Sequence, residues 1–439
     1  MSSAWNILEL GVGQLLRLGS NLIMTHLLLP EAFGLMAMVG TLLSALEMLT
    51  DLGISQSVIR SPRGEEPHFL RVAWTIQFVR RSCVVAVLVA LVGMLLWFVA
   101  PTWAPKGTVY ADAQLPFLIM ASSLVVVVQG LVSTNMWLAA RRMHYGRLTL
   151  LNIGSQIVSL AAMVGLALID ASVWALLAGM FVGAATQTIL SHIVLPGPKM
   201  SFVRDKQVVE ELWQFGRWIV VSSTLSFLAT NADKLILGAL LDGRTFGHYA
   251  IAASWVSTVS LTIQRIFDSV GYPAISELRL KRPAELTRIF NTLELLFDLV
   301  SVVGFLSAIF FLPLIIISLY TPDYASSAGM IPILSIAILH QHFWPLSRLL
   351  LATGDSKTLA AYSAANAVLI CVGLPLGFHF LGLSGALAAM GALPSLAFVV
   401  YVRRASSISG LKIARHIVWL VALPLLCAVL VWTMPVGAR

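Results

Sequence analysis

Charge is what this chain has least of. Only 11% of its 439 residues are Asp, Glu, Lys or Arg, 58% are hydrophobic, and the mean hydropathy is +0.89. Soluble globular domains carry about 25% charged residues, so a soluble protein of this length is excluded for want of a surface. Cysteine is scarce as well. Cys83, Cys371 and Cys427 all lie inside apolar runs without CxxC spacing, which argues against disulfides and cysteine metal sites. Long polar stretches are missing, so no soluble domain is expected. There is no GxxxxGK[ST], dinucleotide fingerprint, hydrolase triad or zinc signature. The chain therefore does not read as an enzyme, and it does not hydrolyse ATP itself. The N-terminus lacks a basic region and a small-residue cleavage site, so no removable signal peptide is expected.

What is present is a series of apolar runs, each near the ~20 residues that cross a bilayer core. They predict helix 1 over Trp5–Leu29, helix 2 over Phe33–Ile59, helix 3 around Ser82–Ala100 and helix 4 over Leu115–Leu138. Helices 5 and 6 are Leu150–Leu168 and Ser172–Leu195. After a polar stretch from Pro196 come helices 7 to 12, at Leu212–Leu241, Phe246–Val270, Ile289–Ser318, Ala328–Ala352, Leu359–Phe380 and Leu381–Val402. A thirteenth run, Ile417–Met434, stands apart.

One segment returns. Leu27, Leu28, Phe33, Gly34 and Ala37 recur 213 positions later as Leu240, Leu241, Phe246, Gly247 and Ala250, each time between a first and a second helix. The expected fold is all-α and integral to the membrane, with two pseudo-symmetric six-helix bundles, helices 1–6 and 7–12, plus one extra C-terminal helix. The boundaries expected are an N-terminal lobe over 1–195, a cytoplasmic linker over 196–212, a C-terminal lobe over 213–402, and a loop with helix 13 over 403–439. Two-lobed membrane proteins of this kind are mostly transporters, with the site between repeats.

Orientation follows from Lys and Arg. With the N-terminus in the cytoplasm, loops on that side collect 20 of the 28 basic residues, and the opposite loops hold only Lys106, Arg244 and the terminal Arg439. This alternation explains the net charge of +8 without nucleic acid.

Ionisable residues at membrane depth mark pathways or paired sites. Gln14, Arg17 and Asn21 share one face of helix 1 and suggest a wet cavity. Arg80 and Arg81 are either deep in helix 3 or interfacial anchors that snorkel. Glu47 and Asp51, four apart on helix 2, are either a proton or cation site or partners for Arg17 or Arg80. Glu294 and Asp298 repeat that spacing on helix 9. Arg265 and Asp268 are three apart and able to pair; Asp233 and Lys234, near Asn231, either pair locally or face headgroups. Pro345 should kink helix 10, and His340 and His342 point to different faces, so no metal site is expected there.

Several segments resemble a known family. THLLLPEAFGLMAMV followed by LTDLGISQSVIR is similar to the opening hairpin of bacterial polysaccharide and O-antigen flippases, within the multidrug/oligosaccharidyl-lipid/polysaccharide exporter superfamily. FGRWIVVSSTLSFLATNADKLILGALLDGRTFGHYAIA resembles the start of that family's second half, and IFDSVGYPAISEL the end of its helix 8. The resemblance reaches about Val402. It implies lobes arranged as a V, alternating access, and a cargo of undecaprenyl-diphosphate-linked oligosaccharide moved to the outer leaflet of the bacterial inner membrane.

On that reading Arg17, Arg80, Arg81, Lys234 and Arg265 hold the diphosphate, since Arg pairs phosphate bidentately. Gln14, Asn21, Asn231 and Gln264 line the cavity, and Glu47, Asp51, Glu294 and Asp298 couple transport to H+ or Na+. No other cofactor is implied. The expected partners are the lipid-linked oligosaccharide, membrane lipids, a polysaccharide polymerase and chain-length machinery, with the chain itself a monomer. Thirteen helices depart from the family's usual twelve or fourteen. A cation-coupled drug exporter should show a more acidic, aromatic cavity. A glycosyltransferase should carry long catalytic outer loops, and a non-transporting scaffold would leave the intramembrane charges dispensable.

Overall fold

The computed structural model describes residues 2–406 and 411–433. Met434, the predicted end of helix 13, and the terminal Arg439 lie outside the described residues. Among the described residues, thirteen long helical stretches are traced, with shorter helices between them. They are α1 (Ser2–Thr25), α2 (Pro30–Leu49), α3 (Pro67–Trp103), α4 (Leu115–Gly130 with Asn135–Arg141), α5 (Tyr145–Ala167), α6 (Val173–Ile193), α7 (Lys206–Leu240), α8 (Gly243–Lys281), α9 (Leu286–Leu319), α10 (Pro322–Ala352), α11 (356–380), α12 (383–405) and α13 (Ile413–Thr433). By length and composition, eight stretches are apolar enough to cross a membrane, nine if bent α4 counts as one; α11 and α12 count together. No strand occurs among the described residues.

The chain forms two compact units. The first is Met1–Phe227 with Gly238–Gly247; the second is Leu228–Leu237 with His248–Arg439. In the first, α1 packs along α5 and α5 along α6. The sequence repeat has a physical meaning here, because α2 crosses the first turn of α8. A Cβ on Gly34 would strike the Gly243 carbonyl and come 3.0 Å from the Gly247 nitrogen, and a Cβ on Gly247 would strike the Pro30 carbonyl. The two repeat-equivalent glycines let one backbone rest on the other. Glu31 and Arg244 face each other at 3.8 Å beside this crossing.

Several boundaries differ from expectation. Helix 2 stops at Leu49, ten residues before Ile59. Thr50 turns its hydroxyl back onto the Leu46 carbonyl at 2.8 Å at the helix end, and Gly53 takes φ 58°, which favours glycine, at the N-cap of the next helix. A short helix, Ile54–Arg60, follows. Asp51 therefore lies beyond the helix, where it accepts from the Gly53 N–H at 3.0 Å. Its expected i, i+4 helical stacking over Glu47 does not exist.

Helix 4 bends by 57° between Gly130 and Asn135. The carbonyls freed by the bend find neighbours: Gln77 Nε2 donates to Gly130 and Val132 at 3.3 and 3.1 Å, and Trp74 Nε1 donates to Leu131 at 3.2 Å. Those bonds fix the rotation of α3.

The predicted linker is no loose tether. It is irregular only to Asp205, and α7 begins at Lys206. Val208 and Leu212 are buried with Phe69, Leu70 and Val72 of α3. His68 meets Asp205 at 2.8 Å, and Thr75 Oγ1 accepts from the Val203 N–H at 3.0 Å. The His68 hydrogen bond holds the Asp205 carboxyl below the ordinary carboxylate range. A carboxylate with a depressed pKa stabilises the fold above its unfolded pKa, and the contribution is lost as pH falls through its folded value. Asp205→Asn should therefore melt lower than the parent protein at pH 7, with the gap closing at a pH below the ordinary Asp range. Thermal scans in detergent at both pH values measure it.

In the second unit α10 is broken. Its pieces Ala325–Leu334 and Ile336–Leu339 meet a 3-10 turn at His340–Phe343, and Pro345 then sits in the first turn of Trp344–Ala352. The expected kink is present, but the break precedes the proline, which starts the next piece with its missing N–H already unneeded. Gly382, at φ 60°, separates α11 from α12.

Candidate substrate and ion sites

In the first unit α3 widens at Val79–Val85 into a π-helical turn, a form that recurs at functional sites. Gln77 anchors the turn from below. Ser82 Oγ anchors it by donating to the Val127 carbonyl at 2.8 Å. Arg80 and Arg81 are thereby both aimed at the end of α2. Arg81 Nη2 lies 3.2 Å from Glu47 Oε1, and Arg80 Nη1 lies 3.9 Å from Asp51 Oδ1. Arg80 Nη1 also reaches the Glu47 and Thr50 carbonyls, at 3.5 and 3.4 Å. α3 begins at Pro67, so both arginines lie within the helix rather than ahead of it.

These four groups line a cavity of about 280 Å³ together with Gln77 and Trp137. That is the lower end of ligand pockets, enough for a headgroup. Its polar atoms are under-used: the donors Arg80 Nε and Arg81 Nε and the acceptor Gln77 Oε1 are buried without a hydrogen-bond partner. Of the expected residues, the fold brings Arg80, Arg81, Glu47 and Asp51 into one neutral cluster. The residues expected to bind phosphate and those expected to couple ions are each other's partners. Arg17, on α1, is exposed, with Gln14 and Asn21 half-buried on the same helix.

In the second unit Lys234 Nζ donates to Asn231 Oδ1 at 2.9 Å, while Asp233 accepts from the Tyr249 hydroxyl. Asp233 is thus held by α8, and Lys234 lines a separate cavity of about 230 Å³ with Thr230, Tyr249 and Asn366. Gln264 Nε2 donates to Gln341 Oε1 at 2.8 Å. The Arg265–Asp268 pairing that the spacing allows is not the one that forms. Asp268 takes two bonds of 2.7 Å from Arg348, which also stacks on Trp344 at 4.0 Å, and Arg265 is exposed. A bidentate guanidinium from α10 outcompetes a neighbour on the same helix.

Glu294 and Asp298 sit in a cluster that sequence spacing does not reveal. His342 Nδ1 lies 2.5 Å from Asp298 Oδ1, His342 Nε2 lies 2.9 Å from His416 Nδ1, and His416 Nε2 lies 3.3 Å from Glu294 Oε1. Arg415 Nη1 bridges Glu294 Oε2 and Asp298 Oδ2 at 3.4 and 3.5 Å. Arg415, counted among the loop cations, and His416 stand in the first turn of α13. The apolar thirteenth run, read from Ile417, began two residues too late to include both. Glu294, His342 and His416 bring ligand atoms within 4.8 Å of one another. They suit a metal poorly: the facing imidazole nitrogens share a hydrogen, and a guanidinium already occupies the carboxylates. Two carboxylates and one guanidinium leave one negative charge, which a single proton balances and a dication overshoots.

Residues 23–341 match the family described as polysaccharide biosynthesis protein. The chain is 22% identical over 257 residues to the succinoglycan biosynthesis transport protein ExoT of Rhizobium meliloti (strain 1021), covering 58% of this chain and 49% of that one. It is 23% identical over 256 residues to the lipopolysaccharide biosynthesis protein WzxC of Escherichia coli (strain K12), covering 56% and 48%. The chain thus spans about half the length of these curated relatives. Its fold is that of the solved lipid II flippase MurJ in an inward closed conformation, with a TM-score of 0.66 at 12% identity over 100% of this chain and 93% of the other. With 319 consecutive positions matched, from 23 to 341, the chain belongs to the polysaccharide biosynthesis protein family.

Proposed function

We infer that the chain is a flippase for undecaprenyl-diphosphate-linked oligosaccharide, working by alternating access and driven by an H+ or Na+ gradient. It is a multi-pass membrane protein, read as lying in the bacterial inner membrane with its N-terminus cytoplasmic. One observation carries this reading: paired arginines with idle donors, inside a membrane helix, at the wall of a headgroup-sized cavity. A drug exporter has no use for them, whereas a diphosphate needs cations that leave water with it.

The geometry supports an exchange. Glu47 and Asp51 hold the arginines until a diphosphate arrives. Phosphate oxygens then take the guanidinium donors, and the displaced carboxylates take up a proton or Na+. Gln14, Asn21, Asn231 and Gln264 offer amides to sugar hydroxyls, while Arg17, Lys234 and Arg265 provide further positive charge. The lobes 1–195 and 213–402 are the moving bodies. The chain carries out no bond chemistry; a polymerase and chain-length machinery act on what it delivers.

The test is flipping in vesicles. Purified protein is reconstituted with a fluorescent undecaprenyl-diphosphate glycan, and the fraction reachable by an external quenching reagent is followed. An imposed pH or Na+ gradient should accelerate exposure of the inner pool. No movement above protein-free vesicles under either gradient would overturn the reading.

A further inference from the structure

The buried cluster of α9, α10 and α13 does not balance its own hydrogens. α9 contributes Glu294 and Asp298, α10 His342, and α13 Arg415 and His416. Asp298 accepts at 2.5 Å, so His342 carries its hydrogen on Nδ1 and presents a lone pair on Nε2. That lone pair faces His416 Nδ1 at 2.9 Å, which must therefore donate. His416 Nε2 is then a lone pair too, and it looks at Glu294 Oε1 across 3.3 Å. Both atoms are buried and neither has a hydrogen-bond partner. Arg415 Nη1 lies 3.4 Å from the other carboxylate oxygen, Oε2, as an ion pair without a hydrogen bond. Two lone pairs confront each other in a dry interior, in a cluster with one uncompensated negative charge.

We propose that this cluster binds one exchangeable proton between Glu294 and His416, connected to water through His342 and Asp298, and that the bound proton holds α13 against α9. It deepens the flippase reading by naming a proton seat in the second unit, in addition to the Glu47 and Asp51 carboxylates, but the site stands on hydrogen accounting alone. Asp298 and Arg415 are the members with exposed side-chain area, 9% and 17%; Glu294, His342 and His416 have none. Water therefore meets the relay at Asp298.

Release is balanced. His416 Nε2 takes the proton from Glu294, and its Nδ1 hydrogen passes to His342 Nε2. The Nδ1 hydrogen of His342 passes to Asp298 and then to water. One proton leaves, both imidazoles remain neutral in the opposite tautomer, and Glu294 is left ionised against α13. Loading reverses each transfer. The family match ends at residue 341, so Glu294 and Asp298 lie inside the matched region while His342, Arg415 and His416 lie beyond it.

The experiment counts protons. Purified protein in detergent is titrated potentiometrically from pH 9 to pH 5, parent against Glu294→Gln, whose amide supplies the missing hydrogen without an exchangeable proton. The parent should take up one proton more per chain. Asp298→Asn should keep the proton and slow its exchange at least tenfold in stopped-flow pH jumps, which tests the relay if Glu294→Gln fails to fold. Equal uptake in parent and Glu294→Gln, or unchanged exchange in Asp298→Asn, overturns the proposal. So does a stoichiometric metal found by elemental analysis in the parent and lost in Glu294→Gln. A one-proton difference with flipping insensitive to pH gradients supports the site and defeats proton coupling of transport.

Discussion

Replacing Arg80 and Arg81 together by glutamine should leave a monodisperse protein in detergent and reduce gradient-driven flipping about 10²-fold or more. The magnitude follows from the bonds at stake. A hydrogen bond to a charged group contributes about 1.5–3 kcal/mol. Losing one from each arginine removes about 3–6 kcal/mol, and each 1.4 kcal/mol is about tenfold. The single change Arg80→Lys sharpens the test. Lysine keeps the charge but loses the fork that grips a phosphate bidentately, so it should fall between parent and double variant. Glu47→Gln with Asp51→Asn should act in the opposite sense on binding. With the carboxylates neutral, the arginines lose their resident partners at 3.2 and 3.9 Å. A diphosphate headgroup should then bind more tightly and leave more slowly. Parent-like flipping in the arginine double variant would remove this cavity from the pathway.

Gly247→Ala should be among the most damaging single-atom additions in the first unit. Its new methyl group meets the Pro30 carbonyl, a backbone atom that cannot swing aside. Forcing one methylene into a closed contact costs about 1–3 kcal/mol, and here the strain falls where two helices cross. Gly34→Ala meets the Gly243 carbonyl and should behave alike. Gly40, on the same helix as Gly34, has nothing within 4 Å of the place an added methyl would take, and it provides the control. Gly40→Ala should be neutral or slightly stabilising, since alanine is the better helix former by about 1 kcal/mol. Thermal unfolding in detergent should rank Gly40→Ala at or above the parent and both crossing variants below it. A Gly247→Ala protein as stable as Gly40→Ala would show that the crossing is not close-packed.

Most of the long helices were legible because they are apolar runs set off by turn residues, and lipid leaves a chain of this composition little other choice. The 213-residue repeat was legible as letters. That Gly34 and Gly247 are small because they lie against each other's helices was not, since a repeat says which positions match and not which ones touch. Helix ends were less visible: Gly53 and the bend after Gly130 interrupt apolar runs without interrupting their hydropathy. Arg80, Arg81, Glu47 and Asp51 were each singled out by charge. Their pairing was not, because it depends on the α4 carbonyls that hold Gln77 and on the π turn beyond it.

Composition alone determined that this chain lives in lipid, is helical, and keeps a few charges there at a cost that only function or pairing repays. The tertiary structure decided which charges meet. Arg348 takes Asp268 from Arg265, and α13 carries Arg415 and His416 to two acids more than a hundred residues earlier. The reason is distance: hydropathy acts on each segment by itself, whereas an ion pair forms only within a few ångströms, and packing alone sets which side chains come that close.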